Sequence, residues 1–472
     1  MRVLLIRPNS VNIVASPAPL GLGYLAQALR SSRNDEVKIL DARIGRLAPE
    51  EVLHAVREFA PRVVGISALS LDAKEAHHLA RLIKSERPGG KGRPEPTIVL
   101  GGAYASARGE PILEDMSVDY LVLGEGEATL AELINALEGQ GEIENVAGII
   151  RRDNGKPVRN RPRVPEEDLD RLSVAWDLIG PERYFSPWAR TSENTLQRSS
   201  RMMSILTSRG CPYNCIFCHN LFGKKFRART PENVVQEIKE LALRYRAREF
   251  EIIDDSFNLD LDRAKTIARL LAELPVKLHF TFPNGLRADR MDENLLDLLK
   301  SAGTYRIDYA VESAVPRIQK MMGKRLNLSR TKEVIAETSR RRILTAGYFI
   351  LGFPGETEQE MQATVEWALR SKLHIASFFY LHPFPGTPLA NSSPELAARV
   401  RDTDFSDYST ITINLSAIPD DLMRKIRRSA YRGFYFHPSR IARNLRDAPK
   451  NFRTLISVFD IIRLSLKDSV NY

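Results

Sequence analysis

Short β-branched runs alternate with helical patterns twice along this chain, and that alternation restricts it to parallel α/β architecture. In the first 140 residues, MRVLLIRP, EVKILDAR, RVVGISAL, TIVLGGAY and DYLVLGEGE read as five strands. Helical patterns over 20–31, 49–59, 73–84, 111–116 and 129–139 accompany them. This predicts a doubly wound, flavodoxin-like sheet of the Rossmann type, with KSERPGGKGRPEPT as a surface loop. Residues 141–200 combine weak periodicity with several prolines and many charges, and read as a linker that partly wraps the domains. From Met202 the alternation resumes, with strands at MSILTS, EFEIID, KLHFTF, YRIDYAV, LTAGYFIL and IASFFYL. Six βα-type units predict a partial (β/α)6 TIM-like barrel, whose chemistry belongs at the C-terminal ends of its strands. The chain therefore divides into 1–140, a linker at 141–200, a barrel at 201–400, and a helical, basic region at 401–472.

Only three cysteines occur, and all lie within SRGCPYNCIFCHN, just after the first barrel strand. Structural disulfides call for an even count and an oxidising compartment. Soft thiolates at Cys211, Cys215 and Cys218 suit an iron–sulfur cluster. No fourth cysteine is at hand, so one iron stays open, as a reactive metal site requires. A zinc site of three cysteines and His219 is the alternative, although zinc knuckles usually pair two separated C-x2-C units.

The cysteine spacing resembles that of the radical S-adenosylmethionine superfamily. The resemblance implies a [4Fe–4S] cluster on Cys211, Cys215 and Cys218, with S-adenosylmethionine chelated at the open iron and cleaved reductively to a 5′-deoxyadenosyl radical. It places Phe217 against adenine and gives Gly210 and Pro212 the shaping of the loop. Further matches are IIDDSF with Asp254 and Asp255, expected near the cofactor's amino group, then PNGLRAD. VESA with Glu312 and Ser313, ILGFPGET with Gly352, and PFPGTPL follow in order. Together they are similar to the subgroup related to the anaerobic magnesium-protoporphyrin ester cyclase. Upstream, SPAPLGLGYLAQALR, VVGISALS, IVLGGAYAS and YLVLGEGEAT resemble the cobalamin-binding domain of that subgroup. The implied cobalamin contacts are Leu20, Gly21, Ser67, Ser70, Gly101, Gly102, Gly124, Glu125 and Gly126. Glycines at strand C-termini let backbone approach a large ligand, and serine hydroxyls can hydrogen-bond its nucleotide tail. An Asp-x-His-x-x-Gly motif is absent, and His54, His77 and His78 fall in helical patterns, so cobalt has no lower histidine ligand from this chain.

With no cysteine outside the loop, methylthiotransferases with extra clusters and methylases with a methyl-carrying cysteine are excluded. What the resemblance leaves is radical methylation of an unactivated carbon in a small-molecule or lipid-like substrate. Oxidative cyclisation or rearrangement is the alternative, and a corrinoid-binding sensor with a non-catalytic barrel is a third. The electron is expected from a reducing partner such as flavodoxin or ferredoxin. The net charge of +10 reads as a solvated basic surface, with no zinc-finger or helix-turn-helix pattern to indicate nucleic acid. No apolar run reaches the roughly 20 residues a membrane span needs, and MRVLLIRPNS is too short an apolar stretch for a signal peptide. A cytoplasmic enzyme is expected. Near the end, Phe452, Leu455, Ile456, Phe459, Ile462 and Leu466 recur at helical spacing with Arg453, Arg463 and Lys467 elsewhere. They read as a capping helix or as a basic amphipathic surface touching anionic lipid at the inner face of the membrane. The aromatics around 431–436 are candidates for lining a substrate entrance.

Overall fold

The computed structural model describes residues 1–9, 16–85, 95–185, 196–219, 221–405, 407 and 409–450. All five N-terminal strands form: β1 (Arg2–Arg7), β2 (Glu36–Asp41), β3 (Val63–Ser67), β4 (Thr97–Gly101) and β5 (Tyr120–Val122). They pair in parallel in the order β2-β1-β3-β4-β5. Alternation along β1 explains the two-sided core. Leu4 and Ile6 pack with Val52, Val56 and Leu79 on one face, while Val3 and Leu5 pack with Leu22, Leu29 and Leu133 on the other. The helices Leu20–Ser32, Pro49–Phe59, Ala73–Ser85 and Glu127–Leu137 supply those side chains. The pattern at 111–116 forms a 3-10 turn, Glu110–Glu114, and a short helix, Gly102–Arg108, precedes it.

The 141–200 segment contains more than a connector. β6 (Ile149–Asp153) and β7 (Lys156–Arg159) make an antiparallel hairpin that extends the sheet beyond β5. Its turn is Asn154-Gly155, both with positive φ (48° and 78°), the conformation that a two-residue hairpin demands and that Asn-Gly favours. Further on, Val174, Trp176, Ile179 and Tyr184 join Leu20 and Tyr24 from the first domain and Met203 and Ile205 from the barrel in one continuous core.

The second sheet comprises β8 (Met202–Ile205), β11 (Glu249–Ile252), β12 (His279–Leu286), β13 (Thr304–Glu312), β14 (Leu344–Leu351) and β15 (Ile375–Tyr380), all parallel and in that order. Between β8 and β11, β9 (Ser208–Arg209) and β10 (Arg227–Ala228) form a small antiparallel ribbon that closes the base of the cysteine loop. Phe250, Phe280, Ile307, Phe349 and Phe378 face the surrounding helices, whereas buried Ser204, Thr281, Arg306 and Asp308 take the alternate, inward positions. The barrel is open between β8 and β15. Helix Asp420–Tyr435 lies along the β15 edge and pairs with it through side chains. Ala376 and Phe378 N–H donate to the hydroxyls of Tyr435 (3.2 Å) and Tyr431 (3.1 Å). In return, Tyr435 Oη donates to Ala376 O (3.0 Å) and Arg427 Nε to Phe378 O (2.8 Å). Tyr431 and buried Phe434 thus seal an edge instead of lining an entrance. The amphipathic pattern at 452–467 lies outside the described residues.

Candidate functional site

The cysteine loop leaves β9 at the C-terminal end of the barrel and is fixed by backbone at both flanks. Gly210 has φ +87°, and a Cβ there would stand 2.2 Å from Lys225 O. Cys211 N donates to Gly223 O (3.2 Å), and Ile216 N donates to Met322 O (3.0 Å). Opposite, Gly323 (φ +77°) lies so close that a Cβ would come within 2.4 Å of Asn214 O. The Arg287 guanidinium sits 3.9 Å over the Tyr213 ring, pinning the loop from a third side.

Within this frame Cys218 lies close enough to Cys215 and Cys211 for their sulfurs to act on it electrostatically. Cys211 Sγ accepts from Ser256 Oγ (3.4 Å), and Cys218 Sγ approaches His219 O (3.3 Å). Burial raises the Cys215 thiol, with Lys324 opposing the shift. Cys218 is reachable by solvent but sits in a recess, where desolvation first and the other two sulfurs next push it up to about 12. Such thiols stay protonated until iron displaces the protons. Among the described residues no three His, Cys, Asp or Glu side chains are placed to hold a single metal ion. His219 packs on Phe384 instead (ring centroids 5.7 Å). Three thiols presented from one loop, each free to take a different iron, fit a cubane.

Around the loop, the candidate S-adenosylmethionine residues divide in two. Phe217 is half-buried, edge-on to Phe353 (5.8 Å), in an apolar pocket with Ile318 and Leu381. Asp255 is exposed beside the loop, its carboxylate accepting from Gly210 N–H. Glu312 has φ +66° at the end of β13 and pairs with Lys324 (2.9 Å), a left-handed backbone that the surrounding structure imposes on a non-glycine residue. Gly352 (φ +105°) and Phe353 donate their N–H groups to Glu356 Oε2 (2.8 and 3.1 Å), so a fully buried glutamate shapes that turn. By contrast, Asp254 spends its carboxylate on Thr207 N, Thr207 Oγ1 and Ser208 Oγ (2.5–2.6 Å). Ser313 is fully buried against Thr364 and Val315 N. These two residues hold strand ends together.

The same division runs through the N-terminal crevice above β1 and β3, where the strand order reverses. Among the described residues Gly21 and Gly124 have no neighbour within 4 Å of where a Cβ would stand, and Gly101 has only ordinary contacts. The hydroxyls of Ser67 and Ser70 make no hydrogen bond among the described residues, and Leu69 between them is 45% exposed. Those five candidates leave space and free donors for a large ligand, as cobalamin requires. Leu20 is buried in the interdomain core. Gly102 (φ +86°) abuts Ala68 backbone, and Gly126 abuts Leu25 and Val122. Glu125 faces the barrel. It accepts from Arg209 Nη1 (2.8 Å) and Arg227 Nη1 (3.1 Å), with a second bond from Arg227, while Glu127 accepts from Arg209 Nη2 (2.7 Å). His54 and His78 are exposed on helices, and His77 is bonded to Asp115 and Tyr104.

The crevice and the cysteine loop are held in register by more than that clamp. Leu389 N, in PFPGTPL, donates to Ile216 O of the loop (2.8 Å), and Gly386 in the same segment packs against Ala107 of the first domain. The roles of Gly323, Arg209 and Arg227 are not legible in the sequence, because each acts on a partner distant along the chain; Glu356 acts locally on Gly352 and Phe353, within ILGFPGET, where the motif itself was the available signal.

Residues 7–134 match the B12 binding domain and residues 205–368 the radical SAM superfamily. An uncharacterized methyltransferase of Pyrococcus horikoshii is 28% identical over 94% of this chain and 95% of its own length. The cytidylyl-2-hydroxyethylphosphonate methyltransferase of Streptomyces wedmorensis is 33% identical over 82% of this chain and 80% of its own. The fold is shared with a radical S-adenosylmethionine methyltransferase from Kitasatospora setae solved with cobalamin and a [4Fe–4S] cluster (TM-score 0.69, 23% identity, 84% of this chain and 78% of that one). A crevice of open glycines facing a three-thiol loop at the mouth of a partial barrel is what those matches lead one to find, and the chain belongs to the radical S-adenosylmethionine enzymes that carry a cobalamin-binding domain, with a [4Fe–4S] cluster, S-adenosylmethionine and cobalamin as its cofactors.

Proposed function

We propose that this enzyme methylates an unactivated carbon of a small-molecule substrate held in the mouth of the barrel. The observation that carries the reading is the direct joining of the two seats. Arg209 and Arg227, which frame the cysteine loop, end on Glu125 and Glu127 of the cobalamin domain. A substrate above the barrel then lies within reach of both cofactors. Cys211, Cys215 and Cys218 hold the cluster. Phe217, Asp255, Glu312 and the turn at Gly352 surround S-adenosylmethionine, with Asp254 and Ser313 supporting their strand ends. Gly21, Ser67, Ser70, Gly101 and Gly124 receive cobalamin. Leu20, Gly102, Glu125 and Gly126 shape the crevice from behind.

When bound, these cofactors supply hydrogen abstraction and a transferable methyl group; the protein's part is placement and exclusion of water. The buried apolar pocket around Phe217 and Phe353 keeps the adenine side dry. Inside the barrel, Arg306 makes a bidentate pair with buried Asp308 (2.7 Å each), which also accepts from Tyr348 Oη (2.5 Å). That chain neutralises the floor beneath the substrate without leaving a free charge. Phe379 on β15, 39% exposed, stands edge-on to Tyr348 (5.9 Å) and offers an aromatic wall at the mouth. We assign the enzyme to the cytoplasm; among the described residues no helix is long and apolar enough to cross a membrane.

Anaerobic reconstitution, desalting and metal analysis test the reading. About four irons and one cobalt per chain are expected, with 5′-deoxyadenosine released under reductant. Cys215→Ala should lose the iron and the deoxyadenosine together while keeping cobalt. Deoxyadenosine release from that variant would sink the cluster assignment. Iron without cobalt, or turnover with no label moving from methyl-labelled S-adenosylmethionine, would replace methylation by cyclisation or rearrangement.

A further inference from the structure

We infer that the groove beside the cysteine loop is the docking surface for an acidic one-electron carrier protein. The inference rests on the radical-enzyme reading above and adds where its electron enters. The groove lies between helix Pro316–Met321 and the start of helix Leu328–Arg340 and encloses about 590 Å³. Gln319, Lys320, Arg325, Asn327 and Ser329 line it.

Three features single it out. The first is proximity. The turn after helix Pro316–Met321, at Met322 and Gly323, lies directly on the cysteine loop. Met322 O accepts from Ile216 N (3.0 Å), and a Cβ on Gly323 would stand 3.7 Å from Cys215 Cα. The chain between lining residues Lys320 and Arg325 thus touches the backbone of a cluster ligand. The second is charge. Lys320 and Arg325 are exposed and have no acidic partner among the described residues. Neighbouring cations are already spent, Arg317 on Glu360 and Lys324 on Glu312. Lys224, exposed on the loop, bonds only to the Tyr213 carbonyl among the described residues and adds to the surplus.

The third is need. All three cysteines of the 472 residues sit in the one loop, so none is left for an iron–sulfur relay from a distant surface. The electron has to arrive beside the loop itself. The step balances simply: the carrier loses one electron, the cluster gains it, and no bond or proton moves. An unpaired basic rim steers an acidic partner to that spot and makes the encounter sensitive to salt.

The test uses the anaerobic holoenzyme and reduced flavodoxin, an acidic flavin carrier, as probe. Affinity and the rate of cluster bleaching are read at low and at physiological salt, beside reduction by dithionite. For Lys320→Glu/Arg325→Glu we expect affinity and bleaching rate to fall about tenfold or more at low salt and to lose most of their salt dependence. Dithionite reduction should be unchanged. Lys320→Gln/Arg325→Gln should fall between, and Lys239→Glu, on exposed helix Pro231–Arg244 elsewhere, should behave as wild type. Wild-type affinity and salt dependence in the double reversal would overturn the docking surface. A wild-type cluster that dithionite fails to reduce would instead overturn the radical-enzyme reading on which it stands.

Discussion

Gly323 sits in a left-handed conformation with its α-carbon against the Asn214 carbonyl, and no side chain fits there. Gly323→Ala adds the conformational penalty of a non-glycine residue, about 1–3 kcal/mol, to a clash that only movement of the loop can relieve. Iron content per chain should drop by half or more while the melting temperature shifts by only a few degrees; full iron retention would show that the loop tolerates the shift. A second residue sets a pH dependence. Buried Glu249 accepts from Arg198 N, Ser199 N and Tyr305 Oη, yet desolvation outweighs those donors and pushes its carboxyl from 4.5 up to about 7. Through this group the native protein binds more protons than the unfolded chain between these values, so the stability Glu249 contributes is full below 4.5 and is lost as pH rises to about 7. The loss is about 3 kcal/mol at 1.4 kcal/mol per unit. Glu249→Gln should flatten the melting profile across that window; an unchanged slope would rule Glu249 out. At this scale the cysteines were legible because their spacing is a local signal. Gly323 was not, since a glycine in sequence does not say which distant carbonyl it meets, whereas Glu356 bonds amides three and four residues back and lies within a motif that was in view.

Among the elements, the open barrel leaves β15 with unpaired backbone, and a helix supplies what a seventh strand would. Arg427, Tyr431 and Tyr435 recur every four residues, so they fall on one stripe of the helix and reach successive groups of the edge. Tyr435→Phe keeps the ring and removes a hydroxyl that serves both Ala376 N and Ala376 O. Leaving those groups without partners should cost about 1–3 kcal/mol and speed hydrogen exchange at Ala376, with Phe250 and other distant core amides unaffected. Uniform acceleration would mean that the edge unfolds only with the whole barrel. Strand and helix positions were readable because β-branched runs and 3.6-residue periodicity are written locally, and helix Pro49–Phe59 ends where its pattern does. The β6–β7 hairpin escaped because prolines and charges flank it, though its Asn154-Gly155 turn was a usable signal. The aromatics at 431–436 misled for a different reason: sequence shows an aromatic cluster, not whether its hydroxyls face substrate or backbone.

For the molecule as a whole, the cobalamin crevice and the cysteine loop must keep one separation through each turnover, and the contacts between domains are suited to that. The Arg209 guanidinium is nearly inaccessible, held by Glu125 and Glu127 and stacked between Tyr24 (4.9 Å) and Phe222 (5.2 Å). Arg227, equally buried, shares Glu125. Removing that carboxylate leaves two buried cations short of an anion, which costs far more than a surface ion pair would, about 3 kcal/mol or more. Glu125→Ala should therefore lower the melting temperature and split one calorimetric transition into two, as the halves lose part of their mutual stabilisation. Glu125→Gln keeps an acceptor for one arginine and should lie between. Because Gly21, Gly124, Ser67 and the three cysteines are untouched, the variant should still take up cobalt and iron. What it should lose is coupling: deoxyadenosine formation persists, while methyl transfer falls relative to it. Equal loss of both activities would show that Glu125 supports the fold of the loop alone and does not set the distance between the two seats.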